Sequence, residues 1–267
     1  GWLGALVFAG IMFVSSSGIA SQLIRETGWV KSRVASRATG ILVFEDILLA
    51  PYLPILASAA LGLGAITGLI STAVALGITS LIFLISRGRE ITGLRALAHN
   101  DSSVLLLLVF GGALAVAGFA DMVGFSGAIA AFLLGLLLTG EVAESLRHRF
   151  APLREIFSAI FFLFFGLSVS AQDLLAVLPI SALFSVIGIA GKFVLGWWLG
   201  RDLTDNMSWK RIAAFLTARG EFSMIIASTV AISGAISGVK EITLGIVLIT
   251  TFSATLAMRA FRSRLDR

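Results

Sequence analysis

Two adjacent carboxylates, Glu45 and Asp46, stand inside an apolar run that reads from about Val34 to Ala59. A run of roughly 20 apolar residues is long enough to cross a bilayer. An acid near its middle is expensive, and such acids face a partner or a water-filled cavity. The chemistry open to a carboxylate there is to hold a cation or a proton, because each neutralises the charge and excludes the other. The plainer alternative is a carboxylate at a helix end that reaches the interface.

Other charged groups lie at the same level. Lys192 sits in a second apolar run, and Arg219 and Glu221 sit in a third. Counted from the basic ends of their segments, these groups and Asp46 lie roughly 11 to 16 Å deep, near the midplane of a core about 30 Å thick. The set has three acids and two bases, a formal excess of one negative charge that one monovalent cation or one proton would balance. Lys192 has a plainer reading too, snorkelling toward the water. Arg219 and Glu221 can likewise be read as a structural pair offsetting the ends of interrupted helices.

The elements that must hold these groups are helices in a membrane. Hydrophobic residues make up 58% of the chain, charged residues 13%, and the mean hydropathy is +1.01, which excludes an ordinary soluble domain. Nine apolar segments can be marked, at roughly 2–24, 38–59, 65–86, 102–120, 124–140, 154–170, 175–199, 210–233 and 242–261. The expected fold is all-α and polytopic, with about nine transmembrane helices. Basic residues fall in alternate loops. Arg25, Lys31, Arg33 and Arg37 follow the first segment, Arg87, Arg89 and Arg95 the third, and Arg147, Arg149 and Arg154 the fifth. Arg201, Lys210 and Arg211 flank the loop after the seventh, and Arg259 to Arg267 close the chain, while Lys240 stands alone on the other side. The positive-inside rule then puts Gly1 outside and Arg267 in the cytoplasm. The same topology accounts for the net charge of +5, so nucleic acid is not an expected partner.

Two segments carry an interruption. The first is broken by Ser15, Ser16, Ser17 and Gly18, and the eighth by Thr217 to Ser223, with Arg219, Gly220 and Glu221 at its centre. Small polar residues with glycine favour local unwinding, which mid-membrane backbone tolerates only around a cavity. Close helix packing through small residues is the alternative for the serines. The two segments enter from opposite sides, and broken helices in inverted halves with a site at their junction mark secondary transporters. The expected organisation is one exchanger-like transmembrane domain over 1–267. Residues 1–86 would close a first repeat and add a linker helix, and 102–261 would form a second repeat. The opening Gly1-Trp2-Leu3, already apolar and without Met, reads as a fragment whose first helices are missing.

Other chemistry is unsupported. The chain has no cysteine and no Walker-type loop, and His99 and His148 have no acid or second histidine at ligand spacing. No cofactor and no metal site are expected, and no nucleophile with an adjacent base suggests an enzyme. Gly111-Gly112 and the stretch from Gly124 to Gly135 suit helix packing better than phosphate binding.

The stretches Ser15 to Leu23, Leu42-Val43-Phe44-Glu45-Asp46-Ile47, Phe161 to Ser168, Gly191-Lys192 and Arg219-Gly220-Glu221-Phe222 together resemble the monovalent cation:proton antiporters of the second subgroup, the Kef-type family. The resemblance covers essentially the whole chain. It implies an inverted-repeat fold with two interrupted crossing helices, and exchange of K⁺ (Na⁺ as the other option) for H⁺. Asp46 would be the carboxylate that alternately holds cation and proton, Glu45 a tuning neighbour, and Lys192 the basic partner in the core. Many Kef-type members have glutamine where this chain has Glu45, and the acidic pair resembles the subset that works with a small cytoplasmic regulatory subunit. A homodimer in the bacterial inner membrane, with a cytoplasmic regulatory subunit or domain, is also implied. A cation channel using the same acids, or a membrane sensor or scaffold that does not transport, remain the competing readings.

Overall fold

The computed structural model of the chain describes residues 1–62, 102–122, 127–138, 140–203, 205 and 207–262, with isolated positions at 66, 70, 73 and 77. The segment expected at 65–86 and the residues Arg87, Arg89, Arg95 and His99 lie outside the residues described, apart from those isolated positions; so does the side chain of His148. All regular structure among the described residues is helical: α1 (Trp2–Phe13), α2 (Ser17–Glu26), α3 (Arg33–Ala60), α4 (Ser102–Met122), α5 (Gly127–Leu137), α6 (Gly140–Leu167), α7 (Ala171–Gly200), α8 (Ser208–Thr217), α9 (Glu221–Ile232) and α10 (Val239–Arg262). Counting α1 with α2 and α8 with α9, seven spans among the described residues are long and apolar enough to cross a membrane. In a bilayer the helix is one of the few structures that satisfies its own backbone, so a chain this apolar has little other choice.

Two boundaries differ from the sequence-based expectation. The loop expected between about 141 and 153 is the first half of α6, which runs unbroken from Gly140. Its charges, among them Arg147 and Arg149, read as a loop by composition, yet the backbone there is helical and runs without a break into the apolar stretch after Glu155. The segment expected at 124–140 is the eleven-residue α5, too short to span a bilayer by itself.

The chain divides into two compact units. The unit Leu49–Ala159 holds the end of α3, α4, α5 and the start of α6. Within it α4 packs on α5, where the Asp121 carboxylate accepts a hydrogen bond from Gly127 N at 2.7 Å and so caps the start of α5. The rings of Phe150 and Phe157 on α6 lie 6.4 and 6.1 Å from that of Phe110 on α4.

The other unit, Gly1–Leu48 with Ile160–Arg267, holds the two broken spans. In it α1 packs on α9 and α2 on α8, so the two spans run antiparallel and cross at their breaks. Each is followed by a continuous helix, α3 or α10. The long helix α7 lies against α8 and α10 along a stripe of small residues, Ser181, Ser185, Gly188, Gly196 and Gly200, with Lys192 in the same stripe. The spacing of three and four residues is that of one helix face. Close approach demands glycine here: a Cβ on Gly196 would stand 2.6 Å from Trp209 O, and one on Gly200 2.5 Å from Trp209 Cα. The stripe explains why Lys192 points inward, since the face it shares is the one pressed against α8.

Candidate functional site

The breaks are built as their sequences suggest. Helix α1 stops at Phe13, Val14 is extended, and Ser16 caps α2 by accepting from Ile19 N at 3.3 Å. Helix α8 stops at Thr217, Ala218 is extended, and α9 restarts at Glu221. Unwound backbone at this depth needs partners, and the two breaks supply one another. Ser16 N donates to Ala218 O at 2.8 Å, Ser15 Oγ to Leu216 O at 2.8 Å, and Ser223 Oγ to Ile11 O at 3.0 Å. Arg219 N donates to Thr250 Oγ1 at 3.2 Å, and Thr251 Oγ1 donates to Arg219 O at 3.3 Å. A Cβ on Gly220 would meet the Ser16 side-chain carbon at 2.6 Å, so contact between the breaks needs glycine there.

Charges are distributed by helix end. Four helix termini meet at the crossing, and each leaves unsatisfied groups with a partial charge. At the carbonyl ends stand cations: Lys192 Nζ donates to Phe13 O at 2.7 Å, closing α1, and Arg219 Nη1 donates to Leu216 O and Thr217 O at 2.9 and 3.1 Å, closing α8. At the amide ends stands an acid, Glu221, in the first turn of α9 and 3.5 Å from the Ser16 hydroxyl that caps α2.

Between them lies Glu45. Its side chain is 2% exposed; Oε1 accepts from Lys192 Nζ at 2.5 Å and Oε2 from Ser15 N at 2.7 Å. The carboxylate is therefore shared by α3, α7 and the first break. Asp46, one position on and about 100° round the helix, is half-buried. Sequence reasoning named Lys192 as the basic partner in the core; the acid it meets is Glu45. Glu45 and Lys192 also line a cavity of about 420 Å³ whose other walls include Met12, Phe13, Phe44 and Gly188. Asp46 is not among its lining residues. Arg219 is fully buried, with Nη2 against Gly188, and its Nε and Nη2 have no hydrogen-bond partner among the described residues.

Of the residues singled out from sequence, the structure brings Ser15, Ser16, Arg219, Gly220, Glu221, Glu45 and Lys192 into one cluster. Ser17 is the first residue of α2. Ser223, the last residue of the expected interruption, ties it to α1, while sequence reasoning missed Thr250 and Thr251, which tie it to α10. The hydroxyl pair in the middle of an apolar helix was the available signal for the threonines.

Comparison with known proteins gives this geometry a setting. The transmembrane family of sodium/hydrogen exchangers matches residues 1–261. The chain is 30% identical over 241 residues to the K(+)/H(+) antiporter subunit KhtU of Bacillus subtilis, an alignment covering 88% of this chain and 59% of that protein. It is 30% identical over 239 residues to the ammonium/H(+) antiporter subunit AmhT of Alkalihalophilus pseudofirmus, covering 85% and 60%. With the glutathione-regulated potassium-efflux system protein KefC of Klebsiella pneumoniae the identity is 28% over 283 residues, covering 100% and 44%. The chain thus spans between two-fifths and three-fifths of the length of these relatives. A family match that runs through both breaks, the paired acids of α3 and Lys192 makes the chain a member of the sodium/hydrogen exchanger transmembrane family.

Proposed function

We propose that the protein exchanges a monovalent cation for protons across a bacterial inner membrane, by alternating access at a carboxylate beside the helix crossing. The observation that carries this reading is the crossing of two antiparallel broken helices, with Glu45 and Lys192 paired against it. K⁺ is the favoured cation because two of the relatives are named for potassium, with Na⁺ the other option from the family at large. The relative named for ammonium adds NH₄⁺, an ion of similar size to K⁺ and the same charge.

In this reading Asp46 carries the exchanged ion. Glu45 is buried, paired with Lys192 and held by the Ser15 amide, and Asp46, one position on, is half-buried and so within reach of water. A carboxylate in a partly desolvated place is costly as a bare charge, and either a cation or a proton relieves that cost. The two therefore compete for one group, which is the physical basis of exchange. Glu45 and Lys192 act as a fixed pair that sets the field at Asp46 and braces α3 against α7. Rocking of one helix bundle against another would present the loaded site to either face. Positive-inside bias supports an orientation with Arg267 in the cytoplasm and Gly1 outside. A homodimer with a cytoplasmic regulatory subunit completes the proposal, supported by two relatives that are themselves named as subunits.

A second reading has one observation in its favour. The cavity opens on Glu45 rather than Asp46, so an entering cation could displace Lys192 and bind Glu45. The test is the same for both. In vesicles holding the full-length protein and a trapped pH dye, added K⁺ should drive proton counterflow, and Asp46→Asn should abolish it. Abolition by Glu45→Gln with Asp46→Asn still active would favour the second reading. Passive current without proton coupling would point to a channel, and no ion flux at all to a sensor or scaffold.

A further inference from the structure

Helix α3 is tied to α7 at two levels, and the cavity of about 420 Å³ lies between them. The inner tie is the buried pair of Glu45 and Lys192. The outer tie is made by Arg37, eight residues earlier on α3 and so roughly 12 Å away along it. Its Nη1 donates to Leu199 O and to the Asp202 carboxylate, and its Nη2 donates to Asp202 Oδ2 at 2.8 Å. Arg37, Ile41 and Glu45 follow one face of α3, as Lys192, Leu195 and Leu199 follow one face of α7. Ile41 and Leu195 both line the cavity, and each stands one helical turn from the outer tie.

The two ties differ in exposure. The side chains of the inner pair are 7% and 2% exposed, whereas Arg37 is 32% and Asp202 64% exposed. Beyond the outer tie the chain turns polar, with Lys31 and Arg33 around the α2–α3 turn and Arg201, Asp202 and Asp205 after α7. Charges that dense belong at a membrane surface and not in hydrocarbon. Arg37 therefore stands between that surface and the end of the cavity marked by Ile41 and Leu195. Apart from Glu45 and Lys192 the cavity is lined by apolar residues and glycine, so water passing the outer tie meets no charge before that pair. An exposed ion pair is weak, which suits a contact that must open and close.

We propose that the contact of Arg37 with Asp202 and Leu199 O is a gate. Shut, it closes the cavity at the end where α3 begins; open, it admits water to Glu45 and Lys192. The role of the gate in transport rests on the exchange reading, in which the shut contact keeps the site from that face of the membrane. The gating itself is independent of that reading.

Reagent access tests the gate with no ion flux involved. Leu195→Cys in a cysteine-free full-length protein, held in lipid nanodiscs, is treated with a permanently charged methanethiosulfonate, which reaches the thiol only through water. Adding Arg37→Gln should speed modification about fivefold, the equivalent of about 1 kcal/mol. Asp202→Asn should speed it less, because the bond from Arg37 to Leu199 O remains. Raising the salt from about 0.01 M to about 1 M should speed the reaction where Arg37 is present and leave Arg37→Gln unmoved, since screening acts on the exposed pair. Ala214→Cys, fully buried in α8, is the control for general loosening, and its rate should stay flat. A Leu195→Cys rate that Arg37→Gln leaves unchanged, or an equal rise at Ala214→Cys, overturns the proposal. Loss of exchange with the access pattern intact would count against the exchange reading and leave the gate standing.

Discussion

Lys192 Nζ lies 2.5 Å from Glu45 Oε1, with the two side chains 7% and 2% exposed, and this contact joins α7 to α3 beside the crossing of the broken helices. Neither charge is there for its own stability. Removing two charges from water is costly, and their attraction repays it only when further hydrogen bonds complete the site. Here Ser15 N and Phe13 O complete it.

The pair predicts an asymmetry between single and double substitution. Lys192→Ala strands a buried carboxylate and should destabilise the protein by about 3–5 kcal/mol. Adding Glu45→Gln to Lys192→Met removes both charges, and most of that loss should return. Thermal melting of Lys192→Met, Glu45→Gln and the double variant in detergent measures it. Additive losses would show that the two groups are not coupled.

The small-residue face of α7 makes a packing prediction. Gly196→Ala places a methyl 2.6 Å from Trp209 O and should cost about 1–3 kcal/mol. Gly111→Ala on α4 meets nothing within 4 Å and should be neutral or stabilising by about 0.5–1 kcal/mol. Melting temperatures that fall equally in both variants would remove the close α7–α8 contact from the account.

Much of the site was legible in the sequence, and the misses have physical causes. Serines and glycine in mid-membrane announced the breaks at Ser15 to Ser17 and Gly220, because unwinding is written in local composition. Lys192 was visible as a charge with nowhere polar to go. Its choice of Glu45 over Asp46 was not visible: α3 is apolar on most sides, so nothing local says which of two adjacent acids faces α7. The start of α6 was missed for the opposite reason. Charges between Glu141 and Arg154 look like a loop when counted, and nothing in their composition shows that the backbone continues as the helix that carries the next apolar stretch.

In the turn just past the end of α7, Asp202 makes a pH prediction through its contact with Arg37, near the start of α3. The Arg37 guanidinium hydrogen-bonds the Asp202 carboxylate and holds its pKa at about 2, below the ordinary value of 3.8. A depressed carboxylate contributes stability above its unfolded pKa and loses it as pH falls through the folded value. The difference in melting temperature between the parent and Asp202→Asn should therefore be constant above about pH 5 and disappear as pH approaches about 2. It should be small, because the pair is exposed, and should shrink with added salt. A difference that grows on acidification would contradict the pairing.

The central claim is that Asp46 carries the ion while Glu45 stays paired with Lys192. The direct measurement is K⁺-driven proton counterflow, read by a trapped pH dye, in vesicles of the full-length protein carrying no substitution, Asp46→Asn or Glu45→Gln. Asp46→Asn should show no coupled counterflow in a protein that still folds, and Glu45→Gln residual counterflow with a shifted pH dependence. Exchange at the parental rate by Asp46→Asn, with Glu45→Gln inactive, would contradict the claim and move the ion to Glu45.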